Sequence, residues 1–218
     1  MTAFRIASLL LITVSSALSF TSSFTVGPIS SRKFSSSSAP LQMNFLSDLL
    51  GGGGKTFAAP CVMGDESIMS RKAHGTSEVP IQKDLRWDCN IQMADQVCNF
   101  NRHGAENRGY WDTTSFYEQA KKEFDETGEV KFYDSNTGKL LFMAPKERTF
   151  DNFIKESVSH GWPSFRDSEV NWEYVRCLSN GESVSVDGTH LGHNLPDGTG
   201  SRYCINLVSV AGRPVEEK

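Results

Sequence analysis

Apolar side chains recur at helical spacing over residues 113–126. Phe116, Ala120 and Phe124 fall on one face of such a helix, and polar residues fill the other. Gly128 follows as the left-handed residue at which helices commonly end. The pattern predicts a helix whose aromatic face packs on a core.

A second helical pattern covers residues 150–159. Thr149 precedes it as an N-cap, and Phe153 and Ile154 lie on its apolar face. Gly161 closes the last turn. We expect a second helix here.

Short runs rich in β-branched and aromatic residues lie between and after these helices, separated by Asn-Gly and Asp-Gly turn signals. They predict strands over 129–133, 140–143, 172–178, 183–186 and 202–210. The fold class is therefore mainly β, with antiparallel strands and a few peripheral helices.

Residues 79–111 lack periodicity, and we expect irregular structure that wraps the β body. A polar cluster within them, residues 99–103 with Glu106, is typical of a solvated loop.

The first 47 residues hold thirteen serines and three basic residues but no acidic residue. Residues 1–19 have the basic, apolar and small-residue regions of a signal peptide, and residues 20–43 have the composition of a transit peptide. This order, with Phe at the junction, resembles the two-part plastid presequences of algae with secondary plastids. We expect delivery to the plastid (chloroplast) stroma, with secretion as the alternative.

Residues 44–58, which include four consecutive glycines, predict a flexible leader before a single domain over 59–218.

Composition narrows the classes of partner. The chain has 218 residues, 38% of them hydrophobic, with 22 basic and 26 acidic side chains and a formal net charge of −4. No stripe of Lys and Arg is present, so a nucleic acid partner is not expected. The longest apolar run, residues 6–14, is far shorter than the roughly 18 residues of a membrane span. We therefore expect no membrane segment in the mature protein.

The cysteines are an odd set without a CxxC pair, which favours neither a disulfide scaffold nor a zinc ribbon. In a reducing stroma, a catalytic or redox-sensing thiol is more expected than a structural disulfide. The five are Cys61, Cys89, Cys98, Cys177 and Cys204.

Residue types that carry chemistry concentrate in the last third of the chain. Because side chains alternate along a strand, Arg202, Cys204 and Asn206 would share one face of the predicted strand 202–210. The guanidinium would favour the nucleophilic thiolate. We expect His190 and His193 in a loop beside this strand, where one could act as acid or base. These residue types fit thiol hydrolysis, peroxide reduction and sulfoxide reduction equally, and an inert buried cysteine is the alternative.

Three segments, Gly161-Trp-Pro-Ser-Phe165, His190-Leu-Gly-His193 and Gly200-Ser-Arg-Tyr-Cys-Ile-Asn206, are similar in order and spacing to the signature segments of the methionine-R-sulfoxide reductase (MsrB) family. The resemblance covers residues 129–212. It implies a fold of two antiparallel sheets and an oxidoreductase that repairs oxidised proteins under oxidative stress. Its substrate would be protein-bound or free methionine-R-sulfoxide.

The same resemblance implies residue roles. Cys204 would attack the sulfoxide sulfur, which leaves methionine and a cysteine sulfenic acid. His193 would protonate the sulfoxide oxygen, while His190 and Asn206 shape the polar side of the site. The implied substrate-binding residues are Trp162 and Phe165, around the substrate methyl group, and Arg202.

The chain departs from the family pattern at its metal and resolving positions. Many members bind a structural zinc through two CxxC pairs, which align here to Asp134, Thr137, Cys177 and Asn180. We therefore expect no metal and no cofactor. A frequent resolving cysteine is replaced by His160. Cys177, Cys98 or Cys89 could resolve the sulfenic acid, or an external thiol of the thioredoxin or glutaredoxin type could reduce it.

These losses leave two other functions open. One is a non-catalytic or regulatory binding module that retains the reductase fold. The other is a thiol hydrolase, which would form an acyl-enzyme on Cys204 and need no reductant.

Overall fold

The computed structural model describes residues 55–215, so the predicted signal peptide, the transit peptide and most of the leader lie outside the described residues. Its helices are α1 (Ile91–Asp95), α2 (Phe116–Thr127) and α3 (Phe150–His160). Its strands are β1 (Val130–Tyr133), β2 (Leu140–Ala144), β3 (Ser164–Phe165), β4 (Val175–Cys177), β5 (Glu182–Ser185), β6 (His190–Asn194) and β7 (Tyr203–Ile205). Within this part of the chain, no helix is long and apolar enough to cross a membrane.

The strands form two antiparallel sheets. Strands β1 and β2 make a hairpin, and the larger sheet has the order β3-β7-β6-β5-β4. The predicted fold class of antiparallel sheets with a few helices is confirmed.

Both predicted helices are present, because local signals determine their ends. The Thr149 hydroxyl accepts the backbone N–H of Asn152 at 3.1 Å and caps α3. Gly128 and Gly161 adopt left-handed backbone conformations at the C-terminal ends of α2 and α3. Helix α2 begins later than predicted because a 3₁₀ turn, Tyr110–Thr113, precedes it.

The predicted strand 202–210 is wrong over its second half. Strand β7 ends at Ile205, and a 3₁₀ turn, Leu207–Ser209, follows. The reason is tertiary: the backbone N–H groups of Leu207 and Val208 donate to the buried Glu106 carboxylate instead of a neighbouring strand.

The predicted loop at His190 and His193 is also wrong. Both histidines lie in β6, which pairs with β5 on one side and β7 on the other. Histidine and glycine are weak strand formers, which hid the strand from sequence patterns. Gly192 belongs there because a Cβ atom at this position would lie 2.1 Å from the carbonyl oxygen of Cys204.

The stretch 79–111 is more ordered than predicted. It contains α1, followed by a single π-helical turn, Gln96–Phe100. Asn90 caps α1 by accepting the backbone N–H of Met93 at 2.8 Å. Ala94, Val97 and Cys98 form the buried face, and these three apolar positions are too few to predict a helix from periodicity.

An aromatic cluster joins the hairpin to the larger sheet. The rings of Phe142 and Phe165 stack with centroids 4.3 Å apart, and the Phe132 ring meets Phe165 edge-on at 4.8 Å. Phe153 of α3 covers the same cluster. These fully buried rings form the core behind β3 and β7.

Only one of the four aligned zinc positions carries a thiol, and Asp134 and Cys177 have different hydrogen-bond partners. The carboxylate of Asp134 accepts a hydrogen bond from the Thr189 hydroxyl at 2.9 Å, in the turn between β5 and β6. Cys177 instead lies beside Ser183, at the other end of β5. Among residues 55–215 no group of three or more His, Cys, Asp or Glu side chains could hold a metal ion. The residues present do not fit a tetrahedral zinc site.

Candidate active site

A cavity of about 280 Å³ opens where the ends of β6 and β7 meet the loop before β3 and a loop ahead of α2. It is lined by His103, Gly104, Ala105, Trp162, His190, Gly192, His193, Leu195, Cys204 and Asn206. Five residues predicted from sequence to form a site therefore share one cavity: Trp162, His190, His193, Cys204 and Asn206.

Strand pairing brings these residues together. His193 on β6 lies directly opposite Cys204 on β7. On the other side of β7, Ser164 of β3 lies opposite Cys204. Trp162 is two residues before Ser164 in the chain. Asn206 follows β7, and its backbone N–H donates to Leu191 of β6 at 2.8 Å. Strands β6 and β7 and the loop before β3 thus present an imidazole, a thiol and an indole to the same space.

His190 is anchored from behind. Its side chain is 1% exposed, and its Nδ1 atom lies 2.7 Å from the Glu182 carboxylate. An N–H at Nδ1 that donates to this carboxylate leaves Nε2 as the free nitrogen. Among the described residues, Nε2 is buried without a hydrogen-bond partner. The unpartnered nitrogen therefore belongs to a fixed imidazole at the cavity wall.

Glu182 is part of a charged chain behind His190. Arg102 donates to the Glu182 carboxylate at 2.6 Å and to Glu66 at 2.5 Å. Burial alone would raise the pKa of Glu182, but the hydrogen bonds from His190 and Arg102 lower this pKa to about 2. The anion is therefore permanent at neutral pH and holds the imidazole in one orientation.

His193 is half-buried beside His190, with the two ring centroids 5.7 Å apart. Burial, followed by repulsion from His190, lowers the pKa of His193 below its usual value of 6.5. At neutral pH this imidazole is therefore uncharged in the free protein and able to take a proton from a nearby acid.

The thiol of Cys204 differs from the sequence expectation. The Arg202 side chain does lie against it and favours the thiolate, but burial has the larger effect and raises the pKa of Cys204 above its usual value of 9.0. Arg202 thus favours the thiolate as expected, but desolvation, which sequence spacing does not reveal, outweighs its effect on the pKa of Cys204. Arg202 does not line the cavity, and its Nε lies 3.5 Å from Asp197.

Residues 103–105 form a wall of the cavity. The polar cluster predicted as a solvated loop, residues 99–103 with Glu106, is solvated only in part, because Phe100, Asn101 and His103 are exposed whereas Asn99 and Glu106 are buried. Glu106 is buried, and its carboxylate accepts the backbone N–H groups of Leu207 at 2.5 Å and Val208 at 3.1 Å. Its backbone carbonyl accepts the indole N–H of Trp162 at 3.2 Å. One residue thereby fixes both the indole and the turn after Asn206. No local pattern in the sequence indicates this role.

We expect Glu106 to make the free energy of unfolding depend on pH. Burial raises its pKa from 4.5 to about 7, although the two backbone hydrogen bonds oppose the shift. The native state then binds more protons at Glu106 than the unfolded chain between these values, so the contribution of Glu106 to stability is largest below pH 4.5 and falls as pH rises to 7. At about 1.4 kcal/mol per pKa unit, the loss is about 3 kcal/mol.

Urea unfolding at pH 4.5, 5.5, 6.5 and 7.5 measures this dependence. Glu106→Gln keeps the size of the side chain and removes the titration, so its unfolding free energy should lack this fall. Equal pH slopes in the two proteins would contradict the assignment.

Other predicted residues lie away from the cavity. Phe165 is fully buried in the aromatic core and does not line the cavity, so it is not placed to contact a substrate methyl group. Cys98 is fully buried and donates to the Ser209 hydroxyl at 3.3 Å. Cys177 is fully buried on β4, which β5 and β6 separate from β7. Cys89 is buried, and burial raises its pKa.

Comparison with curated proteins finds two informative relatives. A protein from Leifsonia xyli subsp. xyli named peptide methionine sulfoxide reductase MsrB is 34% identical over 111 residues, which are 45% of this chain and 78% of the relative. A protein of the same name from Escherichia coli is 42% identical over 71 residues, which are 28% of this chain and 52% of that protein. This chain thus spans only about half the length of the second relative. No family model and no solved structure matches.

Proposed function

The chain belongs to the peptide methionine sulfoxide reductase MsrB family, and from this membership we propose that it reduces the R epimer of methionine sulfoxide to methionine. The observation that carries the proposal is one cavity lined by the Cys204 thiol, the Trp162 indole and three imidazoles, of which those of His190 and His193 belong to the strand paired with β7. A nucleophile, proton carriers and an apolar wall are the parts that sulfoxide reduction needs.

The first step of the reaction is a proton transfer from the Cys204 thiol to the His193 imidazole. At neutral pH Cys204 carries its proton and His193 does not. Transfer of the thiol proton to His193 produces the thiolate when the substrate arrives. The thiolate attacks the sulfoxide sulfur while His193 returns the proton to the sulfoxide oxygen. The oxygen ends on Cys204 as a sulfenic acid, and methionine leaves with two more electrons on its sulfur.

The remaining lining residues orient the substrate. His190, held by Glu182, and the Asn206 amide supply the polar side that faces the sulfoxide oxygen. Trp162 supplies the apolar side for the methyl group, and its hydrogen bond to the Glu106 carbonyl holds the ring in place. A sulfoxide whose oxygen and methyl are exchanged would put an oxygen against the indole. This asymmetry favours one epimer.

The reductant is proposed to be an external thiol of the thioredoxin or glutaredoxin type. Among the described residues, Cys204 is the only cysteine that lines the cavity. One thiol of an external dithiol would attack the sulfenic sulfur and release water. Its second thiol would then free Cys204 and close the partner's disulfide. Oxidised proteins or free methionine sulfoxide are the proposed substrates, in a protein repair role.

A non-catalytic binding module is the second candidate. The raised pKa of Cys204 and the absence of another lining cysteine favour it, because both would slow turnover. Such a module would bind oxidised methionine in the same cavity without releasing methionine.

The deciding experiment supplies separate R and S epimers of a methionine sulfoxide peptide to the full chain, with dithiothreitol as reductant. We expect methionine from the R epimer and at least 100-fold slower turnover of the S epimer, because only one epimer can place its oxygen at the imidazoles. Folding is checked by circular dichroism. A folded protein that reduces neither epimer, or both equally, would contradict the proposal.

A further inference from the structure

Two cysteines outside the active site lie against each other. The side chains of Cys61 and Cys177 share a hydrogen bond. The backbone brings them together, because the N–H of Cys177 donates to Val62 at 3.0 Å and the N–H of Gly64 donates to Cys177 at 2.8 Å. Both thiols are free. The segment that carries Cys61 is therefore bridged to β4 at Cys177, through both the N–H and the carbonyl group of that residue.

The pair is separate from the proposed catalytic site. It lies beside Tyr203, whose hydroxyl donates to Asp167 at 2.6 Å. Tyr203 and Cys204 are consecutive on β7, so their side chains point to opposite faces of the sheet. Neither Cys61 nor Cys177 lines the cavity. They cannot resolve a sulfenic acid on Cys204 without rearrangement of the sheet.

The two thiols differ in the way that stepwise exchange requires. Cys61 is half-buried, whereas Cys177 is fully buried. The hydrogen bond from Cys177 lowers the pKa of Cys61 and thereby favours its thiolate. The accessible thiol is therefore also the more nucleophilic one, and the buried thiol lies next to it, where it can react in a second step.

We propose that Cys61 and Cys177 are a second redox site, which forms a reversible disulfide by exchange with a glutathione-type disulfide. The Cys61 thiolate attacks one sulfur of the small disulfide and releases one small thiolate. Cys177 then loses its proton and attacks the Cys61 sulfur, which releases the second small thiol. Two protein thiols are oxidised, and one small disulfide is reduced to two thiols. This inference goes beyond the proposed function and does not depend on it.

The disulfide would tie the start of the domain to an edge strand. Strand β4 is the last strand of its sheet, and the backbone N–H of Lys55 also donates to Ser179, just beyond β4, at 2.7 Å. Phe57 of the same segment packs on the core. A covalent link between Cys61 and Cys177 closes a loop of on the order of 100 residues, which restricts the unfolded chain strongly. The oxidised protein should therefore resist unfolding more than the reduced protein.

The test uses the full chain with Cys204→Ser, so that the active-site thiol takes no part. The protein is incubated with oxidised glutathione, alkylated with N-ethylmaleimide and digested with trypsin. We expect one cross-linked species that joins peptide 56–71 to peptide 177–202, two hydrogen masses below the sum and lost on reduction. Recovery of both cysteines alkylated, or of Cys61 as a lasting glutathione adduct, would overturn the proposal.

Thermal unfolding gives a second measurement that does not rely on peptide recovery. Oxidation should raise Tm by about 5 °C or more. Cys61→Ser should abolish this rise, while Cys89→Ser, which removes a buried thiol outside the pair, should keep it. A rise that persists in Cys61→Ser would overturn the assignment.

Discussion

Replacing Cys204 by serine should abolish methionine formation and lower kcat/KM for the R epimer at least 10³-fold. A serine hydroxyl stays protonated and is a poor nucleophile toward sulfur, and it cannot store the oxygen as a sulfenic acid. The change is nearly isosteric, so the cavity formed by β6 and β7 should persist. Single-turnover reaction without reductant measures this directly, because each pre-reduced molecule can release one methionine.

The same reaction supplies a chemical signature. Wild-type protein should gain one oxygen on Cys204, which dimedone traps and peptide mapping locates on peptide 203–218. Cys61→Ser, a change at a residue that does not line the cavity and lies beside Tyr203 on the other face of β7, should keep turnover with dithiothreitol within twofold of wild type. If Cys204→Ser retains more than a tenth of wild-type activity, Cys204 is not the nucleophile.

Replacing His193 by glutamine should lower the single-turnover rate about 10²- to 10⁴-fold, the usual contribution of a general acid or base. The pH profile separates this role from a packing role. In the wild type, the rate should be level between the pKa of His193, below 6.5, and that of Cys204, above 9.0. The reactive pair, thiolate and imidazolium, carries the same number of protons as the resting pair, thiol and neutral imidazole. The fraction of protein in the reactive form therefore does not change with pH across this range.

In His193→Gln, the rate should instead rise about tenfold per pH unit up to the pKa of the thiol, because only free thiolate can react. His160→Gln, on α3 outside the cavity, is the matched control and should keep the level profile. A level profile in His193→Gln would show that another group carries the proton.

The helices could be predicted from sequence because their signals are local. Thr149 and Gly161 act within a few residues of the backbone groups that they satisfy. The end of β7 could not, because it depends on Glu106, about 100 positions earlier in the chain. Strand β6 was hidden for a similar reason: its glycine is needed only because another strand passes close by.

The candidate site divides in the same way. The motif residues Trp162, His193 and Cys204 could be assigned together from their order and spacing, and the structure brings them to one cavity. Glu182, which anchors His190, lies outside those motifs and matters only through the pairing of β5 with β6. The direction of the Cys204 pKa depends on burial, which three-dimensional packing sets.

Gly192 has a consequence for how the site keeps its dimensions. Because its missing Cβ lets the backbones of β6 and β7 touch, two main chains in contact set the spacing between proton carrier and nucleophile. Main chains held by a ladder of hydrogen bonds vary less than side chains that turn about χ angles. The separation of His193 and Cys204 is thus set by the spacing between the two strands. Side chains of the cavity wall can therefore differ, to suit different substrates, without changing this separation.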